Sequence, residues 1–223
     1  MLFVAQWKRG TPMANQQPRR PALRPESRQK QSAPLDTVHR LKITLREVRP
    51  PVWRRIEVDS SLTLAELAQL LTAAMGWDGY HLHQFEIAGA VYQRCDLFDD
   101  FPFGRRPLEE SEHRLGDVLE HVGDKARWDY DFGDGWEHDI VVESIGEPDP
   151  SVDYPRCVKG RRACPPEDCG GSWGYANLLE AIADPNHDQH AELTEWLPVN
   201  FEPEHFDASE VTQAIQSPPI ELW

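Results

Sequence analysis

Apolar and polar residues alternate along several stretches of the chain and recur at helical spacing along others. Leu41, Ile43 and Leu45 alternate with Lys42, Thr44 and Arg46, and beyond Pro50-Pro51 the residues Val52, Ile56 and Val58 resume the period with Arg54 interposed. A period of two lines one face of a strand, so the pattern predicts a strand pair. Further on, Trp128, Tyr130 and Phe132 alternate with Asp129 and Asp131, and Trp136, His138, Ile140 and Val142 continue beyond Gly133-Asp134-Gly135. That is the pattern of a β-hairpin. A three-residue loop from Gly133 to Gly135, with Gly135 left-handed, sets Phe132 against Trp136 and Tyr130 against His138 and keeps one face apolar. In that register His138 points inward and Asp129 and Asp131 point outward. The stretch HLHQFEIAG adds His81, His83, Phe85 and Ile87 on one face of another strand.

Helical spacing begins at Leu64, where Leu67, Ala68, Leu71 and Met75 follow in register until Gly76. Thr63 and Glu66 form the S/T-x-x-E capping box that predicts its start. Leu115, Val118 and Leu119 predict a short helix, Ser172 caps one running through Tyr175, Leu178, Leu179 and Ile182 to Asp184-Pro185, and another carries His190, Leu193, Trp196 and Leu197. A last helix starts near Asp207. Cys95 to Arg114 is polar and irregular, a long surface loop in which Phe98, Phe101 and Phe103 offer an aromatic patch for a partner. The expected fold class is α+β: a single domain over residues 36–216, with a twisted mixed sheet of hairpins, one helix packed across it, and C-terminal helices. Residues 217–223 read as a loose tail.

Charge divides the chain unevenly. Residues 1–35 hold seven of the 23 Lys and Arg but only one of the 38 Asp and Glu, which leaves 16 bases against 37 acids in the remainder. The first segment, rich in Pro, Arg, Gln and Ser, is expected to be a disordered basic tail, since it has too little apolar surface to offset the entropy of ordering. Met13 opens MANQQP, so residues 1–12 are read as an upstream mis-start. A body this acidic repels phosphate backbones, which argues against direct nucleic-acid binding by the body. No stretch approaches the roughly 20 apolar residues of a membrane span, and the start MLFVAQWKRG lacks the order of a signal peptide. Four cysteines without a dense framework suit a reducing compartment, so a cytoplasmic protein is expected.

The motifs PPVWRRIEV, HLHQF, YDFGDGWEH, CPPEDCGG followed by GYANLLEAI, and DPNHDQHAELTEWL together resemble the plasmid pRiA4b ORF-3-like family, from about Val38 to Phe206. The resemblance implies a single α+β domain of bacterial or archaeal type and names no activity. Some relatives carry a resolvase label, which implies a DNA recombination accessory role. The sequence offers neither a helix-turn-helix pattern nor a basic recognition segment outside the tail.

Candidate chemistry falls on three groups. Cys157, Cys164 and Cys169, spaced C-x6-C-x4-C, could hold zinc with His138 as the fourth ligand and His81 or His83 as alternatives, because thiolates and imidazole suit that ion. Against this stands a reading of the same cysteines as small packing residues. His81, His83 and His138 with Asp131, Asp134, Glu167 and Asp168 could activate a water, the arrangement of a metal-dependent hydrolase or transferase, although Asp131 and His138 fall on opposite hairpin faces. His187 and His190 form an i, i+3 pair among ordinary first-turn residues. The leading expectation is a non-enzymatic binding or accessory module, with a structural metal as an added element and a protein or peptide, basic to suit the acidic body, as partner.

Overall fold

The computed structural model describes residues 37–95 and 106–218. The expected disorder of residues 1–35, the patch of Phe98, Phe101 and Phe103, and the end of the C-terminal tail lie outside these residues. In chain order, β1 (Val38–Leu45) and β2 (Trp53–Asp59) form a hairpin and α1 (Leu64–Met75) follows. Next come β3 (His83–Ile87), β4 (Ala90–Gln93), the short β5 (Leu108–Glu109) and α2 (Leu115–Val118). The hairpin of β6 (Lys125–Tyr130) and β7 (Trp136–Gly146) leads to β8 (Arg156–Arg161), α3 (Gly171–Ala183), α4 (His190–Trp196) and α5 (Ala208–Gln216). The strands form one sheet in the order β5-β4-β3-β6-β7-β1-β2-β8. Only β4 and β5 run parallel, so the sheet is mixed and the fold is α+β.

Alternation places the core. Leu41, Ile43 and Leu45 of β1 are fully buried, and Leu41 and Ile43 stand opposite Ile56 and Arg54 of β2. Helix α1 buries Leu64, Leu67, Ala68 and Leu71 into the same cluster. Each such leucine or isoleucine contributes about 1.5–3 kcal/mol relative to exposure. Both halves of the predicted capping box form: the Glu66 N–H donates to Thr63 Oγ1 at 3.2 Å and the Thr63 N–H to Glu66 Oε2 at 2.9 Å. Gly76 ends α1 in the left-handed region at φ 79°. At the far sheet edge α5 packs against β8, and the Thr212 hydroxyl accepts the Cys157 N–H at 2.9 Å, which covers an edge donor.

The structure departs from the sequence reading in five places. Within Cys95–Arg114, read as an irregular surface loop, Leu108–Glu109 forms β5 and Glu110–Glu112 a 3-10 turn with Glu110 buried. The β6–β7 register pairs Tyr130 with Trp136 and Trp128 with His138, so the connection is five residues, Asp131 to Gly135. A shift of two residues leaves each side chain that stays in the ladder on its expected face, and for that reason the alternation could not detect it. Gly135 is left-handed as expected, at φ 68°, while Phe132 lies outside the ladder and is half-exposed. His81 precedes β3 rather than belonging to it. Gly170, left-handed at φ 88°, takes the N-cap position of α3 in place of Ser172. Finally, Cys157 sits within β8, paired with Ile56, apart from the other two cysteines of the proposed ligand set.

Candidate functional site

Three connections meet at one end of the sheet: residues 76–82 between α1 and β3, the hairpin tip 131–135, and residues 162–170 between β8 and α3. Trp77 joins the first to the others. Its ring stacks on Tyr130 with centroids 4.8 Å apart and an 8° interplanar angle, and its Nε1–H donates to the Pro165 carbonyl at 2.9 Å. Asp131 leaves the ladder with φ 55°, its N–H donating to Leu82 O at 2.9 Å and its Oδ1 accepting the Gly133 N–H at 2.9 Å. Asp134 Oδ2 accepts the Gly170 N–H at 3.1 Å, so the tip is tied to the start of α3. Glu167 Oε1 accepts from the Tyr130 hydroxyl at 2.7 Å and from the Asp78 N–H at 3.0 Å.

These ties place three carboxylates around one imidazole. His81 Nδ1 lies 3.6 Å from Asp131 Oδ1, and its Nε2 lies 3.3 Å from Asp168 Oδ1 and 3.7 Å from Glu167 Oε2. One ligand atom each from His81, Asp131 and Asp168 falls within 4.8 Å of the others, the group of this kind among the described residues. Asp131 is nearly buried while Asp168 is exposed, so the cluster reaches from the protein interior to solvent. Burial, and then the bond to Glu167, pushes the Tyr130 phenol far above its ordinary range, which keeps it a hydrogen-bond donor.

Exposed apolar residues fall in the segments that carry the cluster. Of the nine large apolar residues that stay exposed among the described residues, Tyr80, Leu82 and Phe132 lie in these connections and Trp173 lies in the first turn of α3. Trp173 is 87% exposed and Tyr80 and Phe132 are each 52% exposed. Gly171 brings α3 against the tip, since a Cβ there would stand 2.4 Å from Asp134 O. A cavity of about 230 Å³ beside Asp168 extends the surface to Trp196.

The other sequence candidates sit elsewhere. The three cysteines and His138 are not brought together as a ligand set. Cys164 donates its S–H to Met75 Sδ at 3.2 Å and accepts from Arg54 Nη2 at 3.1 Å, while Cys157 faces Lys159 O. Burial raises all three thiols above their ordinary range, and burial followed by Asp134 pushes Cys169 up to about 12. His138 is fully buried between Trp77 and Trp128, donates from Nδ1 to Trp128 O at 3.1 Å, and is driven down to about 3 by burial. His83 donates to Glu110 Oε2 at 2.9 Å in a buried pair and is not part of the His81 group. His190 donates to Ala181 O at 2.8 Å and His187 accepts the Gln189 N–H at 3.2 Å, both serving the α3–α4 turn. Of the water-activating set, His81, Asp131, Glu167 and Asp168 gather, while His83 and His138 do not and Asp134 is a tie between loops. The roles of Tyr80, Tyr130 and Trp173 were missed, although the paired Gly170-Gly171 marks a close backbone approach.

The fold and this site define an α+β domain with an acid-lined, aromatic-bordered surface at one sheet end. The chain belongs to the plasmid pRiA4b ORF-3-like family, which it matches over residues 37–210. It is 39% identical over 161 residues to the uncharacterized protein y4hQ of Sinorhizobium fredii, spanning 72% of this chain and 80% of that protein. It is also similar to the crystal structure of MM3350, a protein of unknown function from Methanosarcina mazei Go1, with a TM-score of 0.70 and 33% identity over 78% of this chain and 97% of that one. Among the described residues, no helix is long and apolar enough to cross a membrane.

Proposed function

We propose that the chain is a binding module whose working surface is the acidic, aromatic-bordered end of the sheet, and that it takes a basic segment of a protein or peptide partner. The observation that carries this reading is the exposure of Tyr80, Phe132 and Trp173 in the same segments that gather the carboxylates of Asp131, Glu167 and Asp168 around His81. An arginine or lysine fits both features: its cationic head pairs with carboxylates and its stem or guanidinium plane lies on aromatic rings. Exposed aromatics of this kind are favoured interface anchors. The acidic excess of the body adds long-range attraction for a basic partner.

The test is calorimetric titration of the full chain with a short arginine-rich peptide. Phe132→Ser combined with Trp173→Ser leaves the net charge unchanged and is expected to weaken binding by about tenfold or more, as loss of aromatic anchors does. Equal affinity for wild type and double variant would reduce the binding to diffuse charge attraction and overturn the reading.

A second reading has its own observation, the convergence of His81, Asp131 and Asp168 within 4.8 Å. One imidazole and two carboxylates could hold a divalent cation with positions left open, which is the layout of a metal-dependent hydrolase or transferase. Equilibrium dialysis against Zn²⁺ and Mn²⁺ tests it. Stoichiometric uptake lost in Asp131→Asn supports a cation site, and no uptake of either ion removes it.

A further inference from the structure

The interposed arginine of β2 ends up where alternation puts it, on the core face. Arg54 is 4% exposed and stands opposite Ile43. Its Nε–H donates to Ala74 O at 3.0 Å, and its Nη1 hydrogens go to Trp53 O at 3.0 Å and Arg161 O at 3.2 Å. Nη2 donates to Cys164 Sγ at 3.1 Å. A guanidinium has five N–H donors, so one on Nη2 is left over, and the acceptor beside it is a weak sulfur. Among the described residues no carboxylate comes within ion-pair distance of Arg54. The thiol is no substitute, because Cys164 keeps its proton and donates it to Met75 Sδ. The C-terminal carbonyls of α1 offer partial negative charge but not a formal anion. A buried cation without an anion is costly.

Arg54 and Cys164 line a cavity of about 320 Å³ between the end of α1, residues 163–166 and the face of α5. Its walls are mainly apolar, with Met75, Pro165, Phe201, Phe206, Val211 and Ala214 among them. Phe206 lies over the guanidinium at 5.0 Å. Two carboxylates also line the cavity, and both are committed elsewhere. Asp207 caps α5 by accepting the Ser209 and Glu210 N–H groups, and Glu210 pairs with His205 at 2.7 Å. His205 lines the cavity as well but is matched by Glu210, which leaves Arg54 as its one cation without an anionic partner. A mainly apolar cavity of this size with one unmatched cation is the general form of a site for an amphiphilic small molecule.

We infer that this cavity binds a small organic carboxylate, an aliphatic or aromatic acid whose carboxylate pairs with Arg54 and whose body fills the apolar walls. The acid supplies the formal counter-charge that Arg54 lacks and accepts the spare Nη2 hydrogen. This site is separate from the His81 surface and does not depend on the function proposed for it.

Titration of the full chain with octanoate, and with octanamide as its neutral counterpart, tests the assignment by calorimetry and thermal shift. Octanoate is expected to bind and raise Tm, with the amide weaker by about tenfold or more, as for loss of a charge-assisted bond. Ala214→Phe fills the cavity from α5 while leaving Arg54 in place, and is expected to abolish octanoate binding while the chain remains folded by circular dichroism. Should Ala214→Phe fail to fold, Val211→Phe serves the same purpose from the same helix. Equal affinity for acid and amide, no binding of octanoate, or unchanged octanoate binding in a folded cavity-filled variant would each overturn the inference.

Discussion

The Tyr130 hydroxyl donates to Glu167 Oε1 at 2.7 Å, and this contact joins the last residue of β6 to a loop 37 positions further along the chain. It fixes one of the three carboxylates around His81, because the same oxygen also accepts the Asp78 N–H. Tyr130→Phe removes the donor and keeps the ring stacked on Trp77. The expected cost is about 1.5–3 kcal/mol, the range for hydrogen bonds to charged groups. Urea denaturation at neutral pH measures it. A loss below about 0.5 kcal/mol, the usual range for surface substitutions, would mean that the contact does not hold the loop.

Gly171 is the hinge point between the hairpin tip and α3. Its φ is 68°, and an added Cβ would stand 2.4 Å from the Asp134 carbonyl oxygen, a backbone atom that cannot step aside alone. Gly171→Ala is therefore expected to cost at least the roughly 1–2 kcal/mol of a left-handed L-residue, and to displace Trp173 from the site. Gly146→Ala is the control, since nothing lies within 4 Å of that position. Thermal melts of the two variants should differ, with only Gly171→Ala lowered.

His138 gives the fold a dependence on pH. Burial lowers its folded value to about 3 from an ordinary 6.5. The unfolded chain therefore takes up the proton first as pH falls below 6.5, and stability that is present above that pH is lost progressively down to about 3. The slope from one such group is at most about 1.4 kcal/mol per pH unit. Bonds from Arg40 and Arg156 outweigh the effect of burial on Glu57 and hold it below its ordinary 4.5, so its contribution is lost only at lower pH. Urea midpoints between pH 5 and 6.5 should thus fall less steeply in His138→Leu than in the wild type. Parallel slopes would show that His138 is not buried in its neutral form.

Much of the fold was legible because one rule, alternation, decides which face each strand residue takes. Leu41, Ile43 and Leu45 are buried as the pattern requires, and Thr63 and Glu66 announce α1 through a local hydrogen-bond motif. The five-residue hairpin connection was not legible, since faces are unchanged when the register moves by two. Asp131 was read as outward by the same rule, but it leaves the ladder at φ 55° and tucks beneath His81. The cysteine spacing suggested a zinc site, whereas Cys157 lies in a strand and Cys164 accepts a hydrogen bond from Arg54. Spacing along the chain carries no information on which element each cysteine joins. The His81 surface draws on residues near positions 80, 131 and 168, and only the sheet order brings those segments together.

The most direct measurement on the proposed binding surface is amide chemical-shift mapping on ¹⁵N-labelled protein during titration with the arginine-rich peptide. The account predicts shifts concentrated at Tyr80–Leu82, Asp131–Gly135 and Glu167–Trp173, with the Trp173 indole among the largest and the set lost in Phe132→Ser combined with Trp173→Ser. Shifts centred on β8 or α5, or spread evenly over the acidic surface, would contradict it.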